Sequence, residues 1–259
     1  MAKLTKNSLS AYHTERILNV SSALHSLLNI VRRNRLQAFL SITLLSAGML
    51  LSAGMARAET PQFWDFTHFR LYDEEKTRLD LTLHGRLVDD LSKLSVLQIQ
   101  PKFSREVTKG LRLALNYSYF SVRRANDTSG EDRFVNQNRF EFEVLPEVRI
   151  NDLFNFIQRT RYEFLMDNDF EKLNTRLRHR MQLVSEPLNT SGLRLVTGTE
   201  LFYDIGERSF NQARTVPAGI RIPFLGVDWG ISPLWLAQKV DGEWNHAAVL
   251  QLETWIDVS

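Results

Sequence analysis

The chain has no cysteine, so it carries no disulfide, no thiolate-bound metal and no N-terminal cysteine for a lipid anchor. Acidic residues are nearly missing from its front. Residues 1–58 hold Glu15 alone against Lys3, Lys6, Arg16, Arg32, Arg33, Arg35 and Arg57. Because the whole chain is formally only +2, the remainder is mildly acidic, and nucleic-acid binding, which needs a basic folded surface, is excluded. Catalytic signatures are lacking too: no Gly-x-Ser-x-Gly elbow, phosphate-cradling loop, His-Glu-x-x-His pair or calcium loop occurs. The acidic run Asp167–Glu171 lacks the ligand spacing and the glycine of a calcium loop and reads as a solvated turn. With 43% hydrophobic and 24% charged residues, the chain is not a disordered one.

What is present begins with a leader. Arg32, Arg33 and Arg35 precede an uncharged stretch from Leu36 to Met55, and Ala56-Arg57-Ala58 follows in the small-x-small pattern that signal peptidase accepts. This predicts a helical signal peptide over residues 1–58, removed after Ala58, and a mature body over 59–259. The region before the apolar stretch is long for a signal peptide, and a start near Val31 would give a leader of ordinary size. Leu36–Met55 is also long enough to cross a bilayer as a helix, although Gly48, Gly54 and the Ser/Ala content favour the cleaved leader. Either way the body is exported.

From Thr60 onward helical periodicity is absent and period-two alternation takes its place, the pattern of strands with two chemically different faces. Between Leu173 and Leu183, Leu177 and Met181 share a face with His179, while Arg176, Arg178 and Arg180 share the other. Leu79, Leu81 and Leu83 oppose Arg78, Asp80 and His84; Leu111, Leu113 and Leu115 oppose Arg112, Ala114 and Asn116. Phe140, Phe142 and Val144 oppose Arg139, Glu141 and Glu143, and Leu250 and Leu252 oppose Gln251 and Glu253. Further strands centre near Arg159, Val196 and Ala218. Turns are expected at Asn126–Gly130, Met166–Asp169, Pro187–Gly192 and Asp204–Glu207. Pro217, Pro223 and Pro233 predict bends or bulges near a rim, and Phe63–Tyr72 is either a further strand or an N-terminal arm.

The fold class expected is all-β: a transmembrane, antiparallel, up-and-down β-barrel of about 10–12 strands. A soluble barrel of that size would need a wide apolar interior, whereas a membrane barrel turns its apolar rows to lipid and its polar rows to the lumen. All five Trp follow the leader. Together with Tyr72, Tyr119, Tyr162 and Tyr203, the residues Trp64, Trp229, Trp235, Trp244 and Trp255 sit mostly toward strand ends, as interfacial girdles require.

Three patches carry a resemblance. Gln158-Arg159-Thr160-Arg161-Tyr162-Glu163-Phe164 is followed by Thr175-Arg176-Leu177-Arg178-His179-Arg180; then come Glu200-Leu201-Phe202-Tyr203 with Phe210-Asn211-Gln212-Ala213-Arg214, and Trp235-Leu236-Ala237-Gln238 leading to Asn245-His246. On these, the stretch Phe140–Glu253 resembles domain-of-unknown-function family 2490, small bacterial outer-membrane β-barrel proteins. The resemblance implies a fold and a place, and no activity.

The polar face carries the functional expectations. Arg139, Glu141, Arg159, Arg161, Glu163, Arg176, Arg178, Arg180 and Glu200 fall on one parity of neighbouring strands, with Asn211, Gln212 and Arg214 continuing the row, so facing charges are expected to pair as a ladder inside the lumen. Arginine exceeds carboxylate there, which favours anions. The expected role is a structural, porin-like protein or a narrow passage or binding site for a small anionic solute in the outer membrane of a Gram-negative bacterium. Its expected partners are lipid or lipopolysaccharide and the barrel-insertion machinery; no cofactor, metal or nucleic acid is expected. Two alternatives stay open: a lipid-modifying outer-membrane hydrolase, and a soluble periplasmic barrel or sandwich on an uncleaved helix. Against the hydrolase, His68, His84, His179 and His246 have no evident catalytic partner in the sequence; His179 shares the apolar face and His246 reads as a turn or rim residue.

Overall fold

Alternation in the sequence becomes strand throughout. The computed structural model describes residues 61–89, 91–125 and 132–259. The leader expected over residues 1–58, its cleavage point and the turn expected at Asn126–Gly130 lie outside the described residues. Eleven strands follow one another: β1 (Gln62–Glu74), β2 (Thr77–Val88), β3 (Lys93–Thr108), β4 (Leu111–Ala125), β5 (Asp132–Arg149), β6 (Phe154–Met166), β7 (Lys172–Ser185), β8 (Arg194–Asp204), β9 (Ser209–Phe224), β10 (Val227–Val240) and β11 (Glu243–Asp257). Each pairs with its sequence neighbours, and β11 returns to β1, closing a barrel.

The hairpin pairs are antiparallel, but the closure is not. β1 and β11 run parallel, from Gln62 opposite Val249 to Arg70 opposite Asp257. An odd number of strands joined by hairpins leaves the first and last pointing the same way, so the expectation of an antiparallel barrel is corrected at this seam. The count itself falls inside the expected range.

Local chemistry explains the joints. Leu225-Gly226 and Asp241-Gly242 each place two residues at positive φ, the conformation a two-residue hairpin needs to follow strand twist. Phe63–Tyr72 belongs to a full strand, β1. Pro217 and Pro233 lie where the β9–β10 register jumps from Ile220–Ile231 to Thr215–Trp235, since proline has no N–H to give the ladder. These irregularities sit within the strands instead of at a rim, and Pro223 pairs in register with Asp228. His246 is no turn residue either: it pairs with Ala237 inside β11.

Polarity is inverted relative to a soluble core. Leu97, Ile99, Phe103, Leu115, Phe140 and Leu250 are exposed on the outer wall, while Gln98, Gln100, Asn116, Glu141, Glu143 and Glu163 are buried inside. The strands present one row outward and the other inward because side chains alternate. Among the described residues, an apolar cluster of Trp64, Leu234, Leu236 and Val249 lies inside on β1, β10 and β11.

Candidate functional site

Parity sends the charged residues of β5 to β9 inward, and register decides which of them meet. Glu141 lies opposite Glu163 and Glu143 opposite Arg161; Arg161 lies opposite Arg178, and Arg159 opposite Arg180. Several direct neighbours therefore have like charge. The ion pairs form largely on the diagonal, which the length of arginine allows. Arg178 reaches back to Glu163 (Nη1, 2.6 Å) and onward to Glu200 (Nη2, 3.0 Å). Arg161 reaches Glu141 at 3.0 Å and also pairs with Glu143.

Each buried carboxylate is fully engaged. Glu163 accepts from Arg176 through Nε (2.8 Å) and Nη2 (2.6 Å) besides Arg178. Glu143 accepts from Lys102 at 2.7 Å and from Arg161 Nε at 2.5 Å. Glu200 takes Arg159 at 2.7 Å and has Arg214 at 3.9 Å. Glu141 accepts from Gln100 (2.7 Å), Asn116 (3.0 Å) and Ser118 (3.2 Å) on the neighbouring strands. Charges removed from water need such company, because an unpaired one is far costlier than the pair is beneficial.

Arginine outnumbers these acceptors, and aromatic rings take up much of the surplus. The Arg86 guanidinium lies 4.2 Å from the centre of the Trp64 ring, Arg139 lies 3.7 Å from that of Phe120, and Arg214 lies 4.5 Å from that of Phe202. Cation–π contact of this kind stabilises a desolvated guanidinium without a counter-charge. Trp64 and Phe202 are completely buried. Trp64 is therefore no part of an outer girdle, contrary to expectation. Nor is Trp255, which stacks with His68 at 5.3 Å and carries Arg221 over its face.

The ladder borders a cavity of about 130 Å³. Arg139, Arg159, Arg161, Arg178, Arg180, Glu200 and Arg214 all line it, joined by Arg86, Glu253, Phe66, Leu234 and Val216. Of the other residues expected in the ladder, Arg176 and Glu163 form a neighbouring ion pair, and Glu141 and Gln212 are buried inside. Gln212 accepts from Arg214 (Nε, 2.9 Å) in the amide orientation that satisfies both groups. Asn211 does not continue the row: it falls at the register shift between β8 and β9, with its amide 3.5 Å from Asp204.

Sequence reasoning put Arg86 of β2 on a polar face but left it out of the ladder, and it missed Lys102 with the polar pair Gln98 and Gln100 of β3. The signal was available in the alternation of Gln98, Gln100, Lys102 and Ser104 with Leu97, Ile99, Pro101 and Phe103. Of the histidines, His84 donates from Nδ1 to the Asp65 carbonyl (2.7 Å) and accepts from Arg86 at Nε2 (2.8 Å), which fixes its neutral tautomer. His68 bonds Thr82 at 2.9 Å, and His179, on the outer face, bonds Thr160 at 3.0 Å. His246 stacks on Trp235 at 5.0 Å.

No curated protein matches the chain. A family model does, described as a protein of unknown function, DUF2490, over residues 61–246. The match starts at the first described strand, well before Phe140, where the resembling stretch begins. With the greater part of its length covered, the chain belongs to the DUF2490 family.

Proposed function

We propose that this chain is an outer-membrane β-barrel of a Gram-negative bacterium, exported by a leader removed after Ala58, whose narrow lumen binds or passes a small anionic solute. The observation that carries the reading is the inverted polarity: apolar side chains such as Leu115 and Leu250 are exposed on the outer wall while Glu143 and Glu163 are wholly buried inside. In water such a wall would be a large aggregation-prone patch, whereas in a bilayer it is the lipid-facing surface. Strand length is consistent with this. The shortest strand, β8, has 11 residues, about 36 Å of extended chain, which at a tilt of about 45° spans roughly 25 Å, the height of the apolar band of such barrels.

The solute is assigned from charge. Seven guanidinium groups and two carboxylates, Glu200 and Glu253, line the cavity, and a ring of excess arginine selects anions. The barrel's surroundings are then lipid and lipopolysaccharide, its assembly falls to the barrel-insertion machinery, and its role is passive rather than enzymatic. The test has two parts. Outer and inner membranes are separated and the outer fraction is run on a denaturing gel with and without boiling; the purified protein is then placed in a planar bilayer under a potassium chloride gradient. A heat-shifted outer-membrane band and an anion-selective reversal potential are expected. A protein soluble without detergent refutes the location, and cation preference refutes the solute class.

A further inference from the structure

We propose that the lumenal cavity is a site for a small aromatic carboxylate, one ring bearing one carboxylate, anchored by Arg180. The proposal rests on the reading of the lumen as an anion site and narrows it. Three observations carry it. The first is an unmatched cation. Among the described residues lining the cavity, Arg180 is the guanidinium with neither a carboxylate at ion-pair distance nor a ring beneath it. Arg159, Arg161 and Arg178 hold carboxylates, and Arg86, Arg139 and Arg214 lie over Trp64, Phe120 and Phe202. A planar guanidinium left open in a buried site is suited to a bidentate carboxylate.

The second observation is the opposite wall. In the strand order, β1 lies across the barrel from β6 and β7 and gives the cavity Phe66 beside the polar His68, while Leu234 of β10 and Val216 of β9 carry the apolar lining round from it toward Arg180. Phe66 is held face to face with His84, their ring centres 3.7 Å apart, and Leu234 belongs to the apolar cluster around Trp64. A compact hydrated anion would leave this wall against water, whereas an apolar ring would cover it. The third is size. At about 130 Å³ the cavity is slightly smaller than the roughly 150 Å³ that accommodates benzene in an apolar protein interior, which limits the ligand to a single ring whose carboxylate takes up space beside the Arg180 guanidinium. Glu200 and Glu253 also border it, so a monoanion fits better than a dianion.

The test is calorimetric titration of the full barrel in detergent with benzoate, acetate, inorganic phosphate and neutral benzamide. Benzoate is expected to bind about tenfold or more tightly than acetate or phosphate, and benzamide not to bind, since both ring burial and the guanidinium contribute. Arg180→Gln is expected to weaken benzoate about tenfold or more and Arg180→Lys to retain part of the affinity. Unboiled gel mobility checks that each variant is a folded barrel. Should Arg180→Gln not fold, Val216→Phe, which fills the cavity from the apolar wall, is expected to abolish benzoate binding. Equal affinity for acetate and benzoate overturns this proposal and leaves the anion-binding lumen standing. Benzoate binding insensitive to both Arg180→Gln and Val216→Phe places the ligand elsewhere and also overturns it. No binding of any anion overturns this proposal too and leaves the passage of anions to be decided by the bilayer reversal potential.

Discussion

Glu163→Gln removes one charge from the centre of the ladder while keeping the volume of the side chain. Glu163 has no exposed surface and accepts from Arg176 and Arg178 at 2.6 Å each, with Arg161 at 3.5 Å. The glutamine offers one weaker acceptor and adds a donor that faces guanidinium groups already short of partners. Breaking a buried ion pair from one side costs about 3–5 kcal/mol. The lumen account therefore expects a stability loss of that order, read as the shift in urea unfolding of the protein in phospholipid vesicles, followed by tryptophan emission. Adding Arg176→Gln to Glu163→Gln is expected to recover part of the loss, because the second substitution removes one of the stranded cations. A loss below about 1 kcal/mol, the value of an exposed ion pair, would refute the reasoning, since it would mean that water screens the ladder.

Other substitutions separate the parts of the account. Lys102→Met takes one of the partners from Glu143 but leaves Arg161 and Arg159, so a smaller loss is expected, about 1.5–3 kcal/mol for one charge-assisted hydrogen bond, in the same unfolding assay. Leu250→Arg, at a half-exposed position midway along β11, is expected to cost about 2–4 kcal/mol in vesicles; no loss there would contradict a lipid-facing wall. Gly110→Ala puts a methyl group 2.6 Å from the Glu147 carbonyl at a residue with φ of +76°. It is expected to destabilise the β3–β4 hairpin by more than about 1 kcal/mol, visible as faster amide exchange across Lys109–Arg112.

Much of the barrel is legible in the sequence because the period-two pattern is local. Leu177 and Arg178 declare opposite faces without reference to any other strand, and so do Phe140 and Glu141. Parity therefore brought Arg161, Arg178 and Glu200 to a common surface before any register was known. What parity does not contain is what lies across the lumen. Arg86 of β2 and Arg214 of β9 both lie over Trp64 of β1, a meeting set by closure of the sheet, and a tryptophan near a strand end looks the same in sequence whether it turns inward or outward. The parallel seam was hidden for a related reason. It depends on whether the strand count is odd, and the sequence left Phe63–Tyr72 open between a strand and an N-terminal arm. Diagonal pairing also escaped, because the reach of arginine lets Arg178 pass its direct neighbour Arg161 and pair with Glu163.

The central claim is a wall that faces lipid around a lumen that holds charge. Since the chain has no cysteine of its own, a single cysteine introduced in turn at each position from Ala248 to Glu253 of β11 reports that position alone. The measurement is the collision of a nitroxide label there with oxygen, which concentrates in lipid, and with a water-soluble nickel chelate, in vesicles. The account expects alternation, with labels at 248, 250 and 252 relaxed by oxygen and those at 249, 251 and 253 shielded from it. A profile without period two, or nickel access at Leu250 and Leu252, would contradict it.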